Sequence, residues 1–160
     1  MPRLSLIPLL LAIASLSPAA VEALPIPAQF DSVGADRQAI TALLDSYTKA
    51  VSTKDQALFE TLLLNTDVPF SGVGPNGVAS GAPGVTNQYQ AFRADVFGGG
   101  PFTQRFQDIH IAQDGPLASV SLVFVNTAPQ GRSWGWKTMQ LLKVAGRWKI
   151  ASEFYTGHAG

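Results

Sequence analysis

Phe102–Gln113 (FTQRFQDIHIAQ), a turn at Asp114-Gly115-Pro116, and Leu117–Ala128 (LASVSLVFVNTA) set the architecture of this chain. Along both segments apolar and polar residues alternate with the period of 2 that marks a half-buried strand. Two more such segments follow: Trp134–Val144 (WGWKTMQLLKV) and Trp148–Thr156 (WKIASEFYT). Their separators, Pro129-Gln130-Gly131 and Ala145-Gly146, are turn chemistry, so the four strands should run as an antiparallel meander.

Upstream the period changes to 3.6. Ile40, Leu43, Leu44, Tyr47 and Val51 form one helical stripe, for which Asp36 is the expected N-cap. Thr53 and Gln56 have capping-box spacing, and Leu58, Phe59, Leu62 and Leu63 follow as the buried face of a second helix. Val68–Val73, a Pro75-Asn76-Gly77 turn and Val78–Ser80 read as a small hairpin. Thr86 is placed to cap a third helix carrying Tyr89, Phe92, Arg93 and Val96, which Gly98-Gly99-Gly100-Pro101 ends. Helices first and a long sheet after them make an α+β domain with the helices on one sheet face.

Before this domain, Arg3 supplies a basic start, Leu4–Leu16 is almost wholly apolar, and small residues follow up to Ala23. That is the layout of a secretory signal peptide over residues 1–23, with Ala19 and Ala20 as other cleavage points. The apolar run is too short for the roughly 20 residues of a membrane span. An extended leader with Pro25 and Pro27 occupies residues 24–35, the domain 36–156 and a tail 157–160. The protein is therefore expected in the periplasm or outside the cell, with no membrane partner after cleavage.

The chain balances 11 basic against 11 acidic residues and contains no cysteine. Neutrality leaves no footprint for nucleic acid, and thiol chemistry and cysteine metal sites are excluded. Gly72–Gly77 matches G-x-G-x-x-G, but it lies in turn chemistry between short strands instead of opening a helix, so it is no dinucleotide site. Two histidines, His110 and His158, stand far apart without an acidic cluster, and neither a metal nor a cofactor is expected.

The order of elements, together with Ile40-x-x-Leu43-Leu44-x-x-Tyr47, Asp55, Phe70-Ser71-Gly72 and Gly146-Arg147-Trp148-Lys149-Ile150, resembles the NTF2-like superfamily, also called SnoaL-like or ketosteroid-isomerase-like. The resemblance implies a cone-shaped half-barrel, a mostly apolar pocket between curved sheet and helices, and a homodimer through the outer sheet face. It puts Tyr47 at the position of the isomerase's oxyanion-hole tyrosine. Ser71 stands where that enzyme has its aspartate base, and Gln140 approximately where it has its second oxyanion acid. A serine hydroxyl cannot abstract a carbon-bound proton unaided, so that mechanism is not expected.

Candidate ligand-binding residues are Tyr47, Asp67, Phe70, His110, Trp136, Gln140 and Glu153. Tyr47 reads equally as a pocket residue and as a core aromatic. Glu153 shares its strand parity with Lys149, Ala151 and Tyr155, a row that suits solvent or a dimer partner as well as a pocket. His110 lies two residues after Asp108 on the same strand face, the spacing of an oriented imidazole or of a solvated polar pair. The leading expectation is an exported domain that binds a small apolar or aromatic molecule. The alternative is a SnoaL-like enzyme of dehydratase, cyclase, isomerase or epoxide-hydrolase type, with Tyr47 and His110, Asp67 or Glu153 as acid and base. A protein-interaction domain ranks third.

Expression in a bacterium with the native N-terminus should give a secreted or periplasmic product whose intact mass starts at Leu24. A cytoplasmic product that still starts at Met1 would overturn the signal-peptide reading.

Overall fold

The computed structural model describes residues 30–74, 77–78 and 89–160 of the chain. The signal-peptide segment, Pro75-Asn76 and Thr86 lie outside the described residues. The elements run α1 (Gly34–Thr53), α2 (Gln56–Leu62), β1 (Phe70–Gly74), β2 (Gly77–Val78), α3 (Tyr89–Gly98), β3 (Thr103–Asp114), β4 (Leu117–Ala128), β5 (Gly131–Val144), β6 (Arg147–Thr156) and β7 (His158–Ala159). Among the described residues the strands form one curved, unclosed sheet in the order β2-β1-β6-β5-β4-β3, with β7 on β5. The meander β3 to β6 is antiparallel as expected. Two pairings depart from simple expectation: β1 lies parallel to β6, and the C-terminal tail returns as β7 onto Ser133 and Trp134.

The stripe of α1 is buried as its spacing requires, with Ile40, Leu43, Leu44, Tyr47 and Val51 in the core. Its start differs from the capping expectation. Val33 occupies the N-cap position and offers no side-chain bond, while Asp36 sits inside the first turn. The Asp36 carboxylate instead accepts from Lys143 Nζ at 2.6 Å, Gln113 Nε2 at 2.9 Å and Trp148 Nε1 at 3.2 Å, tying α1 to β3, β5 and β6. Those donors hold its pKa below the ordinary value, the Lys143 hydrogen bond most of all. The second helix, unlike the first, has a side-chain cap, supplied not by Thr53, which donates to the Lys49 carbonyl, but by Asp55 accepting from the Leu58 N–H at 2.9 Å. Gln56, free of a capping-box role, donates to Glu60. Between the helices Lys54 turns the chain with φ 59 and donates to the carbonyl of Val96.

Phe59 of α2 anchors an aromatic cluster in the core. Its ring lies 4.8 Å from Tyr47, 5.4 Å from Phe92, 5.4 Å from Phe97 and 6.0 Å from Tyr89. The cluster seats both short helices against the inner face of the sheet.

Two β-bulges decide which side chains face inward. One falls in β3 between Gln107 and His110, where Asp108 has φ 53. The other leaves Ala151 unpaired in β6, since Leu141 pairs with Ile150 and Gln140 with Ser152. An extra residue reverses the facing of everything beyond it. Thus Trp148 and Ile150 point inward before the bulge, and Glu153 points inward after it.

Gly135 is the most crowded of the described glycines. A Cβ there would stand 1.9 Å from the Thr156 carbonyl oxygen and 2.7 Å from the Phe124 ring, where β6 bends into β7. Gly115, with φ +55 in the β3–β4 turn, has open space around the same position. Gly135→Ala should therefore cost about 3 kcal/mol by overpacking, and Gly115→Ala only about 1 kcal/mol of backbone strain, in urea unfolding. Equal costs would contradict this account of the β6–β7 bend.

Candidate functional site

Beneath α3, the inner sheet face borders an open-mouthed cavity of about 280 Å³. Phe92, Asp95 and Val96 of α3 and Phe102 form one side. Gln104, Phe124, Asn126, Ser133, Lys137 and Tyr155 line it from β3, β4, β5 and β6, with Trp134 and Gly157 completing the wall. The lining is mostly aromatic and aliphatic, with a few polar groups, as small-molecule sites are. Lys137 is the one charged or polar liner that is buried, 2 % exposed, which places it at the floor.

Residues from α1, β5 and β6 meet at that floor. Lys137 Nζ lies 2.7 Å from Glu153 Oε1 and donates to the Tyr47 hydroxyl at 2.6 Å; that hydroxyl donates to Glu153 Oε1 at 3.0 Å. Lys137 pairs across the ladder with Tyr155 and Glu153 with Met139, so the two charges are diagonal neighbours on the inner face. Aromatic rings surround the ammonium: Tyr47 at 4.4 Å, Phe124 at 5.3 Å, Tyr155 at 5.6 Å, Phe106 at 5.7 Å and Phe92 at 5.9 Å. All lie within cation–π range. Glu153 Oε2 is buried and has no hydrogen-bond partner among the described residues; the same holds for Gln104 Oε1 in the cavity wall.

Burial dominates the proton affinities here. Desolvation raises the pKa of Glu153 and lowers that of Lys137, each opposed by the charge of the other. It also drives the Tyr47 hydroxyl well above its usual value, with the Glu153 charge adding to the effect. Tyr155 is pushed up to about 12, first by burial and then by Glu153 and Asp95.

Of the sequence candidates, the structure brings Tyr47 and Glu153 together and leaves the others elsewhere. Phe70 is buried in the aromatic core near Tyr89 and Phe92, outside the cavity wall. Asp67 is exposed in the α2–β1 connection, its N–H donating to Asn65 Oδ1. His110 is exposed beside the β3 bulge, in a shallow depression with Asp31 and Arg37. Trp136 and Gln140 are exposed on the outer sheet face, donating to Ser121 and Ser119. Strand parity explains the outward pair, since Trp136 and Gln140 alternate with Lys137, Met139 and Leu141. Glu153 corrects the row assigned by parity: the Ala151 bulge separates it from Lys149. Sequence reading missed Lys137, although its parity with Met139 and Leu141 already put a lysine among inward apolar residues. Among the described residues no group of three or more histidine, cysteine, aspartate or glutamate side chains is arranged to hold a metal ion.

A curved sheet wrapped around helices, with a cavity between them and polar groups at its floor, defines the class of small α+β pocket proteins with the NTF2-like fold. Residues 40–155 match the SnoaL-like domain family, and the chain belongs to it. Its fold is similar to an NTF2-like protein of unknown function from Shewanella baltica, with a TM-score of 0.60 at 19% identity over 78% of this chain and 95% of that one. An NTF2-like protein of unknown function from Pseudomonas putida is similar at a TM-score of 0.61 and 16% identity, over 76% and 86% of the two chains. A Nostoc punctiforme protein of unknown function with a cystatin-like fold gives 0.58 at 15% identity, over 80% and 95%. No curated protein matches the chain.

Removing one member of the buried pair leaves the other without its partner, so Lys137→Met and Glu153→Gln should each destabilise by about 3 kcal/mol, and the double variant by less than either. With the folded Glu153 pKa raised, the folded state holds its proton longer than the unfolded chain. The pair's contribution therefore declines as pH rises through the interval above the ordinary carboxylate value of about 4.3. With the folded Lys137 pKa lowered, the unfolded chain binds more protons on the alkaline side, and the contribution recovers as pH rises toward the ordinary lysine value of about 10.4. Urea unfolding of wild type and double variant across this range checks both slopes; a flat difference would contradict the burial of the pair.

Proposed function

We propose that this protein binds a small apolar or aromatic molecule in the cavity beneath α3. The observation that carries the reading is an apolar-walled cavity with one buried lysine, Lys137, in its floor. A volume of about 280 Å³ is at the small end for ligand pockets and suits a molecule of one or two rings. Phe92, Phe124 and Tyr155 supply ring faces for stacking, and Lys137 supplies a donor for a carbonyl or other acceptor on the ligand. In this reading the domain works after export, in the periplasm or outside the cell. It pairs with a second copy through the outer sheet face, where Trp136 is 53% exposed and Phe154 51%.

A second reading is a SnoaL-like enzyme acting on a small hydrophobic substrate. It is favoured by the convergence of Tyr47, Lys137 and Glu153, a hydroxyl, an amine and a carboxyl able to exchange protons within 3.0 Å of one another.

Trp134 lines the cavity and serves as a reporter. Titration with single-ring and two-ring aromatics should quench tryptophan fluorescence saturably at micromolar concentration. Lys137→Met should weaken carbonyl-bearing members by about tenfold, the worth of one hydrogen bond, and spare the plain hydrocarbons. Absence of saturable quenching by every member would overturn the binding reading.

A further inference from the structure

All five lysines of the chain are described, and four of them, Lys49, Lys54, Lys143 and Lys149, are exposed or half-buried. Lys137 alone is buried, and it is the one in the cavity wall. A purely structural ion pair in an apolar interior is expected to satisfy all of its polar atoms, because each unmet one is costly. Here one carboxylate oxygen of Glu153 bonds both Lys137 and Tyr47, while Oε2 has no partner among the described residues. Such an arrangement suits a pair that has passed its proton from Nζ to the carboxylate, across 2.7 Å, since a neutral acid tolerates an unmet oxygen better than an anion does. The product of that transfer is a neutral primary amine at the floor of an aromatic cavity.

Resting on the binding reading above, we propose that Lys137 captures small apolar aldehydes or ketones, conjugated ones best, as an imine. The Nζ lone pair forms a bond to the carbonyl carbon while the C=O π bond opens onto oxygen. The protonated Glu153 carboxyl gives that oxygen its proton and takes one back from the nitrogen, leaving a neutral carbinolamine. The same carboxyl then protonates the hydroxyl, the C–O bond breaks, and water departs. Glu153 recovers its proton from the nitrogen, so the net change is amine plus carbonyl compound to imine plus water. The Tyr47 hydroxyl, 2.6 Å from Nζ, positions the amine by hydrogen bonding. The rings of Phe92, Phe124 and Tyr155 stack on the unsaturated part of the ligand and keep bulk water from the imine.

The full chain is incubated with cinnamaldehyde and sodium cyanoborohydride, then analysed by intact mass and peptide mapping. One reduced adduct, on Lys137 ahead of the four other lysines, is the expected result. Glu153→Gln should slow it about a hundredfold per folded molecule by removing the proton carrier, with the folded fraction read by circular dichroism; wild-type protein should also bind cinnamyl alcohol, which cannot form an imine. Lys137→Arg should give no adduct at the cavity; the wild-type mapping needs no variant and stands even if this one fails to fold. Labelling spread evenly over the surface lysines, with cinnamyl alcohol still bound, would overturn the imine and leave the binding reading intact. Failure of both aldehyde and alcohol to bind would overturn the two together.

Discussion

The interior of this domain contains an amine and a carboxyl group withdrawn from the surface, and their mutual need organises what surrounds them. Lys137 and Glu153 can stay buried only because each is within hydrogen-bond reach of the other and of Tyr47. Satisfying them ties α1 to β5 and β6, the two central strands of the sheet. It also explains the ring of aromatics, whose faces complement a positive charge as apolar side chains of equal size would not. An all-apolar core of the same shape would be as stable or more so, by the usual balance of desolvation against attraction. The retention of two ionisable groups here is consequently better understood through the cavity they border than through stability.

Much of the architecture was legible because it rests on periodicity. The four meander strands were bounded within a few residues by alternation and turn chemistry, and the stripe Ile40, Leu43, Leu44, Tyr47 and Val51 gave α1 and its buried face. What escaped depended on single residues. Asp36 has an N-cap's identity, yet three donors from the distant sheet outcompete the local backbone for its carboxylate. The parallel pairing of β1 with β6 joins segments far apart in the chain and leaves no local signature. Glu153 was assigned to the wrong row because a bulge at Ala151 adds one residue to the count, and a period of 2 does not survive an insertion.

The candidate site was half legible for the same reason. Tyr47 could be read as pocket or core, and it serves both, packing its ring against Phe59 and offering its hydroxyl to the floor group. Polar residues chosen on chemical type alone, His110 and Gln140 among them, lie on surfaces the cavity does not touch. Lys137 was passed over because lysine is ordinarily a surface residue, and here strand parity carried more information than residue type.

The parallel contact of β1 with β6 has a consequence for how the molecule comes to exist. Phe70 is seated beside Glu153, and Gly72 beside Tyr155, whose ring crosses the space a Cβ on Gly72 would fill. The first strand cannot be placed until nearly the last residue is available. Contacts of such long sequence separation slow folding, and β1 has its parallel neighbour only after β6 has been made. The two helices can meet early through Tyr47 and Phe59, but the sheet is completed on its β1 side only by a strand made near the end of the chain.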